Sequence, residues 1–234
     1  MSIVRDDAVL LFSIGISVFG ILLITMWAIN PPIGSESVFW RKPLIGSLFS
    51  LICILGIFAT QFPNKCSEAF HFRTATPNVV SNQILTVSHH PDCQRFSAHV
   101  VRINGQMRCA ACSGLLLGAV IALVGTILYF FIGWQIESTR SLPALMGVLG
   151  VLAGFTQSRF KTYARLTSNS LFVLGGFFCL AGIDQTSQNL AIDLFIVMLI
   201  VFWILTRIQL SQWDHSRICE GCESSCRDDP TRRR

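Results

Sequence analysis

Charged residues are scarce in this sequence of 234 residues. Only 13% of the residues are charged, whereas 52% are hydrophobic, and the mean hydropathy is +0.57. A soluble core of this size cannot hide so much apolar surface, so the composition excludes an ordinary soluble domain. It predicts an all-α polytopic membrane protein whose apolar helices cross a lipid bilayer.

Several catalytic and cofactor motifs are also missing. The sequence contains no Gly-rich phosphate-binding loop, no H-E-x-x-H metalloprotease motif and no G-x-S-x-G nucleophile elbow. The haem attachment signature C-x-x-C-H is absent because Ser113 follows Cys112 and Glu223 follows Cys222. These absences give no support to an enzyme that uses one of these motifs, and whether the protein is an enzyme stays open at this level.

Six apolar runs predict about six transmembrane helices. They cover about residues 8–29, 44–60, 110–134, 142–156, 169–183 and 190–208. The first run is too long for a signal-peptide core and no small-x-small cleavage site follows it, so we expect an uncleaved anchor. The chain then divides into two transmembrane helices (1–60), a Cys/His metal-binding loop (61–110), four transmembrane helices (111–208) and a Cys-rich tail (209–234).

No charged residue falls near the middle of any of these runs. Proton- and ion-coupled transporters normally carry a charged group there, so this absence weighs against a pump or secondary transporter. Asp193 stands near one end of the sixth run, where we expect its carboxylate to reach the interface.

The stretch 89–118 concentrates metal-ligand side chains and continues into the third apolar run. The β-branched run Val100–Ile103 is followed by Asn104-Gly105, a strong signal for a β-hairpin, and Gln106–Arg108 would form the return strand. Zinc knuckles present two thiolates to one ion from such a hairpin. The predicted ligands follow the spacing C-x5-H-x9-C-x2-C and are Cys93, His99, Cys109 and Cys112, with His90 as the alternative imidazole.

The tail contains a second group of possible ligands with the spacing H-x3-C-x2-C-x3-C. Its members are His215, Cys219, Cys222 and Cys226. They could form a complete zinc site of three cysteines and one histidine or contribute ligands to the loop site, so the sequence allows one zinc ion or two. An iron–sulfur cluster is the alternative, since three closely spaced thiolates and a distant fourth would suffice. The roles of Cys66, His71 and His89 stay open.

The segment Cys109-Ala-Ala-Cys112-Ser-Gly114-Leu-Leu-Leu-Gly118 resembles a broad prokaryotic family of small membrane proteins, classed as a domain of unknown function. The family signature joins an upstream Cys/His-Pro segment to C-x2-C-[ST]-G-hydrophobic-G at the start of a transmembrane helix. The match covers about residues 89–118, where His-His-Pro-Asp-Cys replaces a Cys-His pair nearer the proline. The resemblance implies a metal knuckle at the mouth of a helix and implies no activity.

Basic residues predict the orientation. With six spans, 15 of the 18 Lys and Arg residues fall on the side that holds both termini and the 61–110 loop. The positive-inside rule then places that side in the cytoplasm and the protein in the plasma membrane. Cytosolic thiols stay reduced, which favours metal ligation over disulfides.

Three functions fit these observations. The first is a scaffold or accessory subunit in which closed zinc sites organise a cytosolic cap that docks a protein partner or membrane complex. The second is a membrane redox protein that uses thiol pairs or an iron–sulfur cluster. The third is a membrane-face metalloenzyme, for which His89, His90, Asp92 and Glu68 are the candidate groups. We expect no nucleic-acid partner.

Overall fold

The computed structural model describes residues 2–31, 39–61, 100–103, 106–134 and 141–220. Side chains are described for residues 8–31, 39–61, 101, 108–134 and 141–214. Helix α1 spans Ser2–Ile29 and α2 spans Arg41–Gln61. Strands β1 (Val100–Ile103) and β2 (Gln106–Cys109) precede α3 (Ala110–Thr126), which continues as a π-helical segment, Ile127–Ile132. Helix α4 (Leu142–Phe155), a 3-10 turn (Gln157–Arg159), α5 (Thr162–Ser187) and α6 (Leu190–Glu220) complete the described chain.

Five of the described helices are long and apolar enough to cross a membrane. These segments are Ala8–Ile29, Arg41–Gln61, Ala110–Ile132, Thr162–Ser187 and Leu190–Asp214, whereas Leu142–Phe155 is shorter. The chain is therefore a helical, multi-pass membrane-type protein, as its composition predicts. The fifth and sixth helices exceed the apolar runs seen in the sequence, because each carries polar residues within its helical backbone.

The two strands form an antiparallel pair with Val100 opposite Cys109 and Ile103 opposite Gln106. Val101 is only 1% exposed, so the pair packs onto the bundle rather than projecting from it. Because β2 ends at Cys109 and α3 begins at Ala110, no linker separates strand from helix.

Helix α5 is the most buried of the five long helices, and glycine lets its neighbours approach it closely. A Cβ atom on Gly114 of α3 would lie 2.2 Å from the backbone oxygen of Leu166. A Cβ on Gly175 of α5 would lie 2.6 Å from the backbone oxygen of Gly147 in α4. Small residues at such contacts allow close van der Waals packing in lipid, where the hydrophobic effect gives no drive for helices to associate.

Polar contacts define two opposite ends of the bundle. Arg41, at the start of α2, contacts Asp193 at the start of α6. Arg207, late in α6, contacts Gln157 in the turn that follows α4. We call the first the Arg41 end, and the second, where the strand pair joins α3, the hairpin end.

Candidate functional site

Two cysteine thiols lie together where the strand pair joins α3. Cys109 has an extended backbone (φ −63°, ψ 122°) and precedes the first helical residue, while Cys112 lies in the first turn of α3. Both residues are half-buried, and neither thiol belongs to a disulfide in the described part of the chain. The C-x2-C spacing therefore brings the two side chains into hydrogen-bond contact at the start of a helix.

The environment favours the thiolate form of Cys109. A hydrogen bond from the Cys112 thiol, together with the backbone N–H groups of Ala111 and Cys112 and the positive charge of Arg165, lowers the pKa of Cys109 to about 5 against the opposing effect of burial. A thiolate is both the metal-ligating and the nucleophilic form of cysteine. The pair is therefore suited to hold a metal ion or to react.

Two buried arginines lie close to these thiols. Arg207 is 6% exposed; its Nε donates to Asn169 Oδ1 at 2.9 Å and its Nη2 donates to Gln157 Oε1 at 3.1 Å. Arg165 is 2% exposed and its Nη2 lies 3.2 Å from Asp214 Oδ2. Both thiols interact electrostatically with Arg207. Two buried guanidinium groups therefore act electrostatically on the thiols: Arg165 on Cys109, and Arg207 on both.

Three elements besides β2 and α3 supply the polar groups of the hairpin end. Arg165 and Asn169 come from the first two turns of α5, Gln157 from the 3-10 turn and Arg207 from α6. Ser170 donates a hydrogen bond to the Gly114 carbonyl at 2.8 Å, which ties α5 to the first turn of α3. This contact keeps the cysteine-bearing turn against the helix that carries Arg165.

Most of the ligands predicted from the sequence lie outside the described residues. This applies to His90, Cys93, His99, Cys222 and Cys226, and also to Cys66, His71 and His89. His215 and Cys219 belong to helix α6, but their side chains are not described. Within the described ranges, no group of three or more His, Cys, Asp or Glu side chains could hold a metal ion. Only Cys109 and Cys112 of the predicted set are seen together, and the zinc site stays a prediction.

A second polar cluster occupies the Arg41 end. Arg41 is 4% exposed and its Nη1 lies 2.5 Å from Asp184 Oδ1 and also contacts Asp193 Oδ2. Tyr129, in the π-helical segment, donates to Asp184 Oδ2 at 2.8 Å. Lys42 Nζ lies 4.0 Å from the same oxygen and 5.0 Å from the centre of the Tyr129 ring. Helices α2, α3, α5 and α6 are thereby joined through buried charge.

This cluster corrects the expectation for Asp193. The sequence suggests that its carboxylate reaches the interface, but the side chain is fully buried and paired with Arg41. The partner lies 152 positions away in the chain, so local position could not reveal it. Asp184 was missed altogether because it lies just beyond the apolar run 169–183.

Arg165 and Arg207 were also missed as parts of a site. Both count toward the basic residues of a loop and a tail in the sequence, yet both lie within long helices and are buried. Their spacing gives one signal: Arg165 and Asn169 are four residues apart and share a helix face.

No protein-family model, curated protein or solved structure matches this chain.

Proposed function

We propose that this protein is an integral membrane protein whose hairpin end holds a structural zinc ion, with Cys109 and Cys112 as two of its ligands. The observation that carries the proposal is the contact between the two thiols at the strand-to-helix junction. Zinc knuckles place two cysteines of a C-x2-C pair on one ion in this way. The thiolate form, which zinc requires, is already favoured at Cys109.

The direction of the helices supports a shared site. Lys42, in the first turn of α2, lies over the ring of Tyr129, in the π-helical segment that continues α3. Helix α2 therefore runs antiparallel to α3, and Gln61 lies toward the hairpin end. The chain therefore leaves α2 and enters β1 at the end of the bundle where Cys109 lies. The last helix, α6, also ends there, so the tail begins at the same end. The other proposed ligands belong to the segment 62–99 and the tail, apart from His215 and Cys219, which lie in the last turns of α6. Cys93 and His99 are the proposed partners, with His90 or the tail group as alternatives.

A zinc ion with four protein ligands has no open position for substrate, so the proposed role is structural. The metal would fold the polar segment 62–99 into a cap on the bundle, since a unit of this size usually needs a staple to be stable. Such a cap is a surface on which a protein partner or membrane complex could dock. The resemblance at residues 89–118 agrees with a metal knuckle in this place.

The basic residues support the proposed orientation. Arg159, which is exposed, lies at the hairpin end, and the described helices that border the basic stretches 62–99 and 221–234 end there. By the positive-inside rule we place the hairpin end, both termini and the metal cap in the cytoplasm, with the protein in the plasma membrane.

The test is a matched pair of double variants. Cys109→Ser/Cys112→Ser should lose the bound zinc and lower the melting temperature together, because the ion is a staple of the folded state. The control is Cys53→Ser/Cys179→Ser, whose two thiols are 2% and 0% exposed inside the bundle. The control should keep its zinc. Full zinc occupancy in Cys109→Ser/Cys112→Ser would contradict the assignment.

A dithiol–disulfide pair is the second candidate function. It is favoured by the same contact, because two thiols in hydrogen-bond contact at C-x2-C spacing can close to a disulfide with little backbone movement. The test is the reactivity of the Cys109 and Cys112 thiols in zinc-free protein. Reversible oxidation of both thiols to a disulfide by a membrane quinone would favour this candidate over zinc.

A further inference from the structure

The carboxylate of Asp193 is buried at the Arg41 end with one of its two oxygens unsatisfied. Its side chain is 0% exposed, and Oδ2 contacts Nη1 of Arg41. Within the part of the chain that the structure describes, Oδ1 has no hydrogen-bond partner, although it is shielded from solvent. A buried acceptor that lacks a donor is costly, and a charged one more so than a neutral one. The cluster at the Arg41 end is therefore incomplete at this oxygen.

Asp184 and Asp193 share a single guanidinium nitrogen. Nη1 of Arg41 lies 2.5 Å from Asp184 Oδ1 and also contacts Asp193 Oδ2. Because both aspartate side chains are 0% exposed, this nitrogen holds the two carboxyl groups close together in a site with little solvent. Like charges that share a buried site disfavour the ionised form of one of the two groups.

The other polar groups of the cluster act on Asp184 rather than on Asp193. Lys42 Nζ lies 4.0 Å from Asp184 Oδ2, and the Tyr129 hydroxyl donates to the same oxygen at 2.8 Å. Helices α1 and α4 contain no titratable side chain among their described residues. The buried charges of the cluster are thus one guanidinium and two carboxylates, which leaves one negative charge in excess when both aspartates are ionised.

We propose that the Arg41 end contains a proton-binding site, in which Asp193 carries one exchangeable proton. The proton comes from the aqueous phase and forms one O–H bond on the carboxylate of Asp193. Arg41 and Asp184 then remain as a neutral buried ion pair, and a neutral carboxyl group is much less costly to bury than a carboxylate. The inference does not depend on zinc, because the proposed zinc site lies at the opposite end of the bundle.

A proton fits this position better than a metal cation does. Hard metal cations in proteins take about six oxygen ligands, whereas a proton requires one. Among the described groups of the cluster, Oδ1 of Asp193 is the one acceptor that lacks a partner. The other carboxylate oxygens already contact Arg41, Lys42 or Tyr129.

Lys42 and Tyr129 connect the buried aspartates with the end of the bundle. The Lys42 side chain is 41% exposed, and its Nζ lies 5.0 Å from the centre of the Tyr129 ring. The Tyr129 hydroxyl can both donate and accept a proton, and it already contacts Asp184. It belongs to a π-helical segment, a conformation that is frequent at functional sites. We therefore place the exchange of the proton on the membrane face at the Arg41 end.

The first experiment is infrared difference spectroscopy on the unaltered full-length protein in lipid nanodiscs. At neutral pH we expect the C=O stretching band of a protonated carboxylic acid, which shifts in D₂O and disappears as the pH is raised. The absence of this band would overturn the inference, and a band that does not shift in D₂O would show that the proton does not exchange. Stabilisation by Na⁺ at constant ionic strength, without the band, would assign the site to a metal cation and also overturn the inference.

The second experiment assigns the band with three variants. Asp193→Asn should lose it, because the proton-carrying group is gone. Asp184→Asn should lose it as well, because the remaining carboxylate then pairs one to one with Arg41 and needs no proton. The matched control, Asp214→Asn, removes an aspartate that is paired with Arg165 at the hairpin end and should keep the band.

A band that persists in Asp193→Asn would overturn the inference. This variant resembles the protonated carboxyl group in shape and charge, so we expect it to fold and to keep its zinc. If Asp184→Asn does not fold, Asp193→Asn and the spectrum of the unaltered protein decide the matter. Loss of the band with normal zinc content, or the reverse, shows which of the two proposed sites is correct.

Discussion

At the residue scale, three arginines are buried among the side chains that the structure describes, and their partners differ. Arg41 is paired with two aspartates, Arg165 with one, and Arg207 donates to two neutral amides. Removing one member of a buried ion pair costs much more than the net value of the pair, because the remaining charge is left uncompensated. Single substitutions at these arginines should therefore have large effects that depend on the partner left behind.

The Arg41 end allows a sharp test of this argument. Among the described residues, Arg41→Gln leaves two fully buried carboxylates with the Tyr129 hydroxyl on Asp184 and with the more distant Lys42 as the remaining cation of the cluster. We expect the free energy of unfolding in detergent to fall by about 3–5 kcal/mol. Reversible denaturant unfolding, followed by helix content, measures the change.

Lys42→Gln is the matched control for this substitution. The Lys42 side chain is 41% exposed and its Nζ lies 4.0 Å from Asp184, so solvent screens the interaction. Its removal should cost no more than about 1 kcal/mol. Equal losses in the two variants would show that Arg41 is not the central charge of the cluster.

The sequence revealed the cysteines of the hairpin end more readily than the arginines. C-x2-C beside a turn signal is a local pattern, so Cys109 and Cys112 could be found from neighbouring residues alone. Arg207 meets Asn169 and Gln157 across 38 and 50 positions of chain, and such contacts depend on how three elements pack. Hydropathy also marks only the apolar extent of a helix, so it does not show that an arginine near the end of a run, such as Arg207, is buried.

At the element scale, the sequence predicts the start of a helix correctly where the helix begins at the change from polar to apolar residues. The third apolar run is predicted from residue 110, and α3 begins at Ala110 because β2 ends at Cys109. Helix α5 instead begins at Thr162, seven residues before its apolar run. Its first two turns contain Arg165 and Asn169, which are buried by contacts with α6. Paired polar residues thus extend a helix beyond the range that apolarity alone marks.

The contact between α3 and α5 depends on glycine. In Gly114→Ala the new Cβ would lie 2.2 Å from the Leu166 carbonyl oxygen, and backbone cannot move aside as a side chain can. We expect a loss of about 1–3 kcal/mol in the free energy of unfolding, as for other overpacked cores. Thermal unfolding in detergent measures it, with zinc content determined in parallel, since the same turn carries Cys112.

Gly56→Ala in α2 gives the matched control. Apart from the adjacent residues and backbone of its own helix, no described atom lies within 4 Å of the position that its Cβ would take. Alanine is the better helix former by roughly 0.5–1 kcal/mol, so this variant should be as stable as the unaltered protein or slightly more stable. A destabilised Gly56→Ala together with a tolerated Gly114→Ala would contradict the packing described for α3 and α5.

At the scale of the whole molecule, the two polar ends differ in kind. The described groups of the Arg41 end form a closed cluster in which Arg41 and Lys42 face Asp184 and Asp193. The hairpin end combines half-exposed thiols with a buried excess of positive charge, and the ligand-rich segments of the chain join it. This difference places the proposed zinc chemistry at the hairpin end.

The proposed orientation can be tested with reporter fusions. Green fluorescent protein fused after residue 234 should fluoresce, because the tail is placed in the cytoplasm. Alkaline phosphatase fused after Trp134, where the chain has reached the Arg41 end, should be active because that end faces away from the cytoplasm. The reverse pattern would invert the protein and expose its cysteines to an oxidising compartment.

The central claim is that the hairpin end holds zinc, and the most direct test is elemental analysis with an absorbance spectrum. The full-length protein would be purified in detergent under anaerobic conditions. The account predicts about one or two zinc ions per chain and no visible absorption band, as expected for closed thiolate–imidazole sites. Iron with visible absorption would instead indicate an iron–sulfur protein, and the absence of any bound metal would contradict the account.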